Sequence, residues 1–457
     1  MTVLGAIFCV AYALAAIKGR RGVLIVLAAS IGFNDSAAVV IGSFAVTPYY
    51  TGLLLYLALS AFGRSMRTQT LASRAETGIL VALVVYSTAV TAFSPTIFAG
   101  LGVISSSIGL DEQVGSLSAL EPSSSNVAQV VYLVLNALFF WSVSRSQQVT
   151  HRVVAVGFAV GSLVATTALI FQRVGVTWPS ALFDNSPRGF YALGPDRLRA
   201  QFSEPSHLGA FSLAASAYFL VRLMQAKSPR QTLIRTGLLA VSAAPFAASA
   251  SGTGLAGAAI GGAVVVAVGA LRSLPVLPRL RVPVPAVLLG LVGTVALAFL
   301  IPSVLASAQR ILDAKQGTTS QINRAYSNAN GLDVMSSTFG FGAGLGSNRT
   351  SSLFVLLLSQ IGVVGTGLFF GVVIVLIVRA LKFGPTHLAS VVALVAFLAS
   401  AVVSLADFSS PVLWMLMAAL ASDNLRQHKL EPAVDGNQSM RSNLDAYGRQ
   451  NTLPQLP

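Results

Sequence analysis

Residues 352–378 read Ser352-Leu353-Phe354-Val355-Leu356-Leu357-Leu358-Ser359-Gln360-Ile361-Gly362-Val363-Val364-Gly365-Thr366-Gly367-Leu368-Phe369-Phe370-Gly371-Val372-Val373-Ile374-Val375-Leu376-Ile377-Val378, without one charged side chain. About 20 consecutive apolar residues cross a bilayer as a helix, and backbone polar groups in lipid must be satisfied within the segment. This stretch therefore reads as a membrane span closed by Arg379 and Lys382. Similar runs recur at roughly 2–17, 22–40, 44–62, 77–95, 127–143, 153–172, 207–224, 236–251, 253–271, 284–301, 388–405 and 410–422. The predicted fold is an all-α polytopic membrane protein with about 13 (12–14) transmembrane helices. Residues 1–429 are read as a single transmembrane domain, and 430–457, rich in Pro, Asn, Gln and Ser, as a disordered cytoplasmic tail.

Composition agrees. Of 457 residues, 54% are hydrophobic and 10% charged, against about 25% charged in soluble domains. The net charge of +14 would point to nucleic acid in a soluble chain. Here it reflects Lys and Arg in short loops beside membrane spans, so no nucleic-acid partner is expected. The single cysteine, Cys9, excludes a disulfide framework and a cysteine metal site. Residues 2–17 lack a basic leader and read as a retained helix.

Seven basic clusters lie two spans apart: Lys18–Arg21, Arg64–Arg74, Arg145–Arg152, Arg222–Arg235, Arg272–Arg281, Arg379–Lys382 and Arg426–Lys429. By the positive-inside rule that side is cytoplasmic, which puts the N-terminus outside and the C-terminus inside. Arg441 and Arg449 lie in the tail on the cytoplasmic side, and the other eight basic residues fall in two large outer loops. Residues 173–206 hold Arg173, Arg188, Arg197 and Arg199; residues 302–351 hold Arg310, Lys315, Arg324 and Arg349. Loops of this length, charged against the rule, mark a candidate site.

The first loop ends Arg197-Leu198-Arg199-Ala200-Gln201-Phe202-Ser203-Glu204-Pro205-Ser206-His207-Leu208-Gly209. Guanidinium forks match phosphate oxygens. Glu204 suits proton abstraction, Pro205 the first turn of the next helix, with Glu204 or Ser203 at its cap and His207 in its first turn. The bland alternative pairs Arg with Glu or with lipid headgroups. The second loop carries Arg324, Tyr326 and Phe339-Gly340-Phe341-Gly342-Ala343-Gly344-Leu345-Gly346-Ser347-Asn348-Arg349-Thr350-Ser351-Ser352. Its glycines permit close approach of amides to an anion, and the helix starting near Ser351 aims its positive end there; a tight turn packed between helices is the alternative. Ser249–Gly254 reads as a small-residue hairpin at the outer surface. Asn34, Asp35 and Asp407 are polar groups in or near apolar runs, either functional or at the outer interface. Phe190, Tyr191, Trp178 and Tyr326 suit sugar stacking or interface anchoring.

The order of these pieces resembles the O-antigen ligase and polymerase superfamily. The resemblance covers roughly residues 170–375. It rests on the Arg-rich loop leading into Phe202–Gly209, the Ser251-Gly252 hairpin, and the later loop with Arg324, Gly342-Ala343-Gly344-Leu345-Gly346-Ser347 and Gln360-Ile361-Gly362-Val363-Val364-Gly365. It implies an inverting glycosyltransferase of the bacterial inner membrane, working on the periplasmic face without metal, cofactor or nucleotide sugar. The donor would be a glycan on polyprenyl diphosphate, the partners a chain-length regulator and a flippase. Family ligases typically carry a His just after the Gly-rich segment. Arg349-Thr350-Ser351-Ser352 stands there instead, which favours a polymerase joining lipid-linked repeat units over an O-antigen ligase.

The chemistry demands an electrostatic partner for the leaving diphosphate. Arg197, Arg199 and Arg324 are the expected clamp, with Arg349 and Arg188 secondary and Ser347 and Tyr326 contacting substrate. Glu204 is the expected base and His207 its substitute. The competing class is a lipid-linked oligosaccharide flippase or secondary carrier, which would place charge near the membrane midplane on repeated halves.

Overall fold

A computed structural model describes residues 1–42, 44–62, 74–105, 116–146, 151–187, 197–273, 319–382 and 387–422. Arg188, Phe190, Tyr191, the expected span at 284–301, Arg310, Lys315 and the tail at 430–457 lie outside the described residues.

In chain order the elements are α1 Val3–Ile17, α2 Arg20–Ala29 prolonged by a 3-10 turn at Ser30–Phe33, β1 Val39–Ile41, β2 Phe44–Val46, α3 Pro48–Phe62, α4 Arg74–Ile97, β3 Gly102–Val103, β4 Ser118–Ala119, α5 Ser124–Ser146 and α6 His151–Val174. Then follow α7 Ser180–Phe183, α8 Pro205–Met224, α9 Pro229–Ala248, α10 Gly252–Ser273, α11 Thr319–Ser337, α12 Leu353–Lys382, α13 Leu388–Ser404 and α14 Pro411–Ser422. Among the described residues, five helices are long and apolar enough to cross a membrane, lying in α4, α5, α6, α8 and α12. The protein is thus a mostly helical, membrane-embedded chain, with the only strands among the described residues in two short antiparallel hairpins, β1–β2 and β3–β4.

The second apolar run departs from its expected length. Its helix stops at Phe33, and the chain turns into the β1–β2 hairpin, where Val39 pairs with Val46 and Ile41 with Phe44. The cause is the polar triplet Asn34-Asp35-Ser36, whose side chains all bond to distant segments. The last helix, α14, is 12 residues long. At about 1.5 Å per residue that falls well short of a bilayer core of about 30 Å. Its shortness is accommodated because every one of its residues is buried in protein, Trp414 completely, so it is a core helix with no lipid face.

The Gly-rich segment and α12 form one construction. Gly362 has φ 64° and ψ −170° and breaks α12 within its apolar stretch. The carbonyls of Ser359 and Gln360 accept from Ala343 and Gly344 N–H at 2.8 Å each, and Val363 N–H donates to Gly340 C=O at 2.9 Å. A helix break inside lipid is tolerated only when the freed groups are paired again, and here the loop does so. Gly342 has φ 90°, and a Cβ there would fall 2.5 Å from the Gln360 carbonyl oxygen.

The connectors gather at two ends. At one, Arg20 reaches Tyr56 Oη and Ser142 Oγ, and Arg379 donates to the buried Glu76 at 2.6 Å. At the other lie both hairpins, α7, residues 197–204 and the turns at 249–251, 338–352 and 405–410; this end carries the candidate site.

Candidate functional site

Four consecutive residues, 34–37, organise this end. Asn34 Nδ2 donates to Asp407 Oδ2 at 2.9 Å. Asp35 Oδ2 accepts from Ser203 N–H at 2.8 Å and Ser203 Oγ at 2.9 Å, and stands 2.8 Å from His207 Nδ1. Ser36 Oγ donates to Phe183 C=O at 2.9 Å, and Ala37 N–H to Asn185 Oδ1 at 2.7 Å. The loop after α2 thereby fixes α7, the start of α8 and the turn after α13. Phe183 is held in turn by stacking between Phe33 and Trp178. Trp178 is thus half-buried and packed against Phe183 and Phe171.

The start of α8 follows from its sequence. Glu204 is extended at φ −135°, ψ 151°, and Pro205 occupies the first turn, where its missing N–H costs nothing. The cap differs from expectation: neither side chain closes the helix. Ser203 turns to Asp35, and Glu204 Oε2 accepts from Ser206 Oγ at 2.8 Å. His207 lies one turn in, on the face that meets Asp35.

The proton positions at this cluster follow from the acceptor. Burial alone would push the Asp35 carboxyl up; the charge on His207 and hydrogen bonds from His207 and Ser203 outweigh it and hold the group at about 2. Asp35 is thus a carboxylate, and His207 Nδ1 must carry the hydrogen that faces it. The charged ring carries its second hydrogen on Nε2. Because Ser203 Oγ also donates to Asp35, its hydroxyl is not primed by His207. The group is an oriented Asp–His pair rather than a nucleophilic triad. Glu204 and Asp407 lie close enough to act on His207 electrostatically.

Arg324 comes from the other loop. On α11 it shares a face with Ser327, Asn328 and Gly331, at i, i+3, i+4 and i+7. Ser327 Oγ lies 3.0 Å from Ser351 Oγ, and Asn328 Oδ1 accepts from Ser351 and Ser352 N–H at 3.0 and 3.1 Å. This seats α11 on the entry to α12 and brings Arg324 Nη2 to 4.0 Å from Glu204 Oε2. Glu204 therefore stands between Arg324 and His207, which lies three residues on along α8.

The other candidates stand elsewhere. Arg199 is 3% exposed and forms a two-pronged ion pair with Asp184, further donating to the Ala200 and Phe202 carbonyls. That geometry braces the loop and leaves the guanidinium turned inward. Arg197 is half-buried two residues upstream. Tyr326 is exposed on the side of α11 opposite Arg324. Ser347 is buried, accepting from Asn126 Nδ2 and donating to Ala343 C=O. Arg349 is half-buried, its N–H on Ile104 C=O at 2.9 Å.

The glycine loop does not present its amides to an anion. Those of Gly340, Phe341, Gly342, Ala343, Gly344, Leu345 and Ser347 all donate within the protein, and the N–H groups at the start of α12 belong to Asn328. The Ser249–Gly254 turn is the small-residue hairpin, packed so closely on Gly209 that a Cβ there would meet Ser251.

Sequence reasoning left Asp35 open between a functional and an interfacial role, took Ser203 only as a cap residue, and missed Asp184. Asp35 and Asp407 carried a signal, as acids beside apolar runs; Asp184 carried none. Among the described residues no three His, Cys, Asp or Glu side chains gather as metal ligands. Compared with known protein families and curated sequences, the chain matches no family model and no curated protein.

Proposed function

We propose that the protein is a membrane polysaccharide polymerase, which moves a glycan from polyprenyl diphosphate to a hydroxyl of a lipid-linked repeat unit with inversion at the anomeric carbon. The observation that carries this reading is the meeting of Glu204 and His207 with Arg324, from stretches more than a hundred residues apart, at one end of an apolar bundle. In the same reading the chain crosses a bacterial inner membrane about 13 times, with this end outside.

The proposed step breaks the bond between the anomeric carbon and the diphosphate oxygen as the acceptor hydroxyl attacks from the opposite face. The hydroxyl proton goes to the Glu204 carboxylate. Asp35 keeps His207 as an imidazolium and turns its Nε2–H towards the reacting groups, a second positive donor for the departing anion. Negative charge grows on the leaving diphosphate, and Arg324 meets it from α11. Its 4.0 Å separation from Glu204 is looser than a direct hydrogen bond, so an anion can share the guanidinium. Ser206 orients the Glu204 carboxylate for the hydroxyl proton. Arg197, with Arg349 farther along, extends the positive path, while Arg199 positions the 197–204 loop through Asp184.

The test is the glycan profile of a deletion strain. A polymerase leaves single repeat units on the lipid carrier. Full-length chains stranded on the carrier would assign a ligase, and unchanged glycans would remove the proposal.

A further inference from the structure

Helices α6 and α9 are closed along their middle by small hydroxyls. Ser242 Oγ donates to Ser162 Oγ at 3.0 Å, and Thr166 Oγ1 to Val241 C=O at 2.7 Å. The second contact has a sequence cause. Pro245 lacks an N–H, so the Val241 carbonyl loses its donor one turn on, and Thr166 supplies one from the neighbouring helix.

Toward the site end the two helices leave a groove of about 580 Å³, within the ~300–1,000 Å³ of small-molecule sites. Leu169, Ile170 and Val174 form one wall, and Ala244, Ala247 and Ala248 the other. The alanines keep α9 from filling the space. Arg173, in the last turn of α6, also lines it; it is exposed and has no carboxylate partner among the described residues. An apolar trough ended by one cation complements an amphiphile with an anionic head. The trough also joins the site: Ala248 C=O accepts from Leu198 N–H at 3.0 Å, at the start of the strand of chain that leads to Ser203 and Glu204.

We infer that the α6–α9 groove seats the first isoprenoid units of the donor's polyprenyl tail, with Arg173 on its phosphate. The inference rests on the transferase reading for the identity of the occupant and adds the place where that lipid docks.

The experiment uses the full chain in phosphatidylcholine vesicles and a polyprenyl monophosphate, without sugar, bearing a diazirine near its phosphate end. Cross-links are mapped by mass spectrometry. The groove predicts labelling within 169–174 and 244–248. Arg173→Gln should lower it about tenfold, the scale of one charge-assisted contact, while Arg173→Lys should retain most of it. Ala247→Trp should abolish it, and unlabelled polyprenyl phosphate should displace the probe where phosphatidylglycerol does not. Labelling spread equally over α1, indifference to Arg173→Gln, or equal displacement by phosphatidylglycerol would overturn the inference. Because no transfer is read, the two readings separate. Groove labelling in a protein that joins no sugars supports the groove and removes the enzyme, whereas transfer without groove labelling removes the groove alone.

Discussion

His207 Nδ1 lies 2.8 Å from Asp35 Oδ2, across 172 positions of sequence. The contact exists because α2 stops at Phe33, which frees Asp35 to turn towards the first turn of α8. It fixes the ring so that Nε2 is the nitrogen offered to a reacting group.

Asp35→Asn keeps the size of the side chain but removes the negative charge that keeps His207 protonated and oriented. Transfer should fall about 10²–10³-fold, the usual worth of one oriented donor to a developing anion, and His207→Ala should fall by a similar factor. The double variant should be little worse than either single one, since the two act as a unit. Independent, multiplying losses in a rate assay would contradict the pairing.

The arginines should separate cleanly. Removing Arg199 strands the buried Asp184 carboxylate, a loss on the order of 3–5 kcal/mol, so Arg199→Met should lower the melting temperature in detergent. Adding Asp184→Leu should restore much of it. Arg324→Ala should leave melting close to wild type and remove transfer. An Arg199→Met protein that melts normally yet fails to transfer would mean that Arg199 touches substrate after all.

Stability should fall in acid through Asp35. Its carboxyl is held at about 2, below the usual ~3.9. A depressed acid contributes stability that is present above the unfolded value and is lost as pH drops through the folded one. The window runs from about pH 4 down to about pH 2, and the contribution is on the order of 2 kcal/mol. Thermal melts of wild type should therefore drop more steeply between about pH 4 and about pH 2 than those of Asp35→Asn. Parallel curves would show that Asp35 is not the titrating group.

The loop and the broken helix should fail together. Gly342 and Gly362 adopt φ 90° and 64°, and a Cβ on either would run into the other segment's backbone. Gly342→Ala and Gly362→Ala should each destabilise by more than the ~1 kcal/mol of an ordinary glycine replacement. Near-wild-type melting of both would show that the two segments do not depend on this close approach.

The membrane helices were legible because lipid imposes one rule on every span: long, apolar and internally hydrogen-bonded. That rule does not reach α14, which is sheltered by protein, or the end of α2, which is decided by bonds from residues 34–36. At the site, Glu204, His207 and Arg324 could be read from charge placed against the sidedness rule. Arg199 looked identical by that criterion, and only its partner, Asp184, gives it a bracing position. The alternating glycines were legible as tight backbone. Whether that backbone approached a ligand or another helix depended on Gly362, which is distant in sequence and silent on its own.

The central claim meets its most direct test in purified protein reconstituted with a polyprenyl-diphosphate-linked oligosaccharide, with chain length and released polyprenyl diphosphate measured together. The account predicts longer lipid-linked chains with one carrier released per linkage from wild type, and a drop of about a hundredfold or more in Arg324→Ala. A wild-type protein that carries lipid-linked units between leaflets but forms no linkage, or an Arg324→Ala variant at full rate, would contradict it.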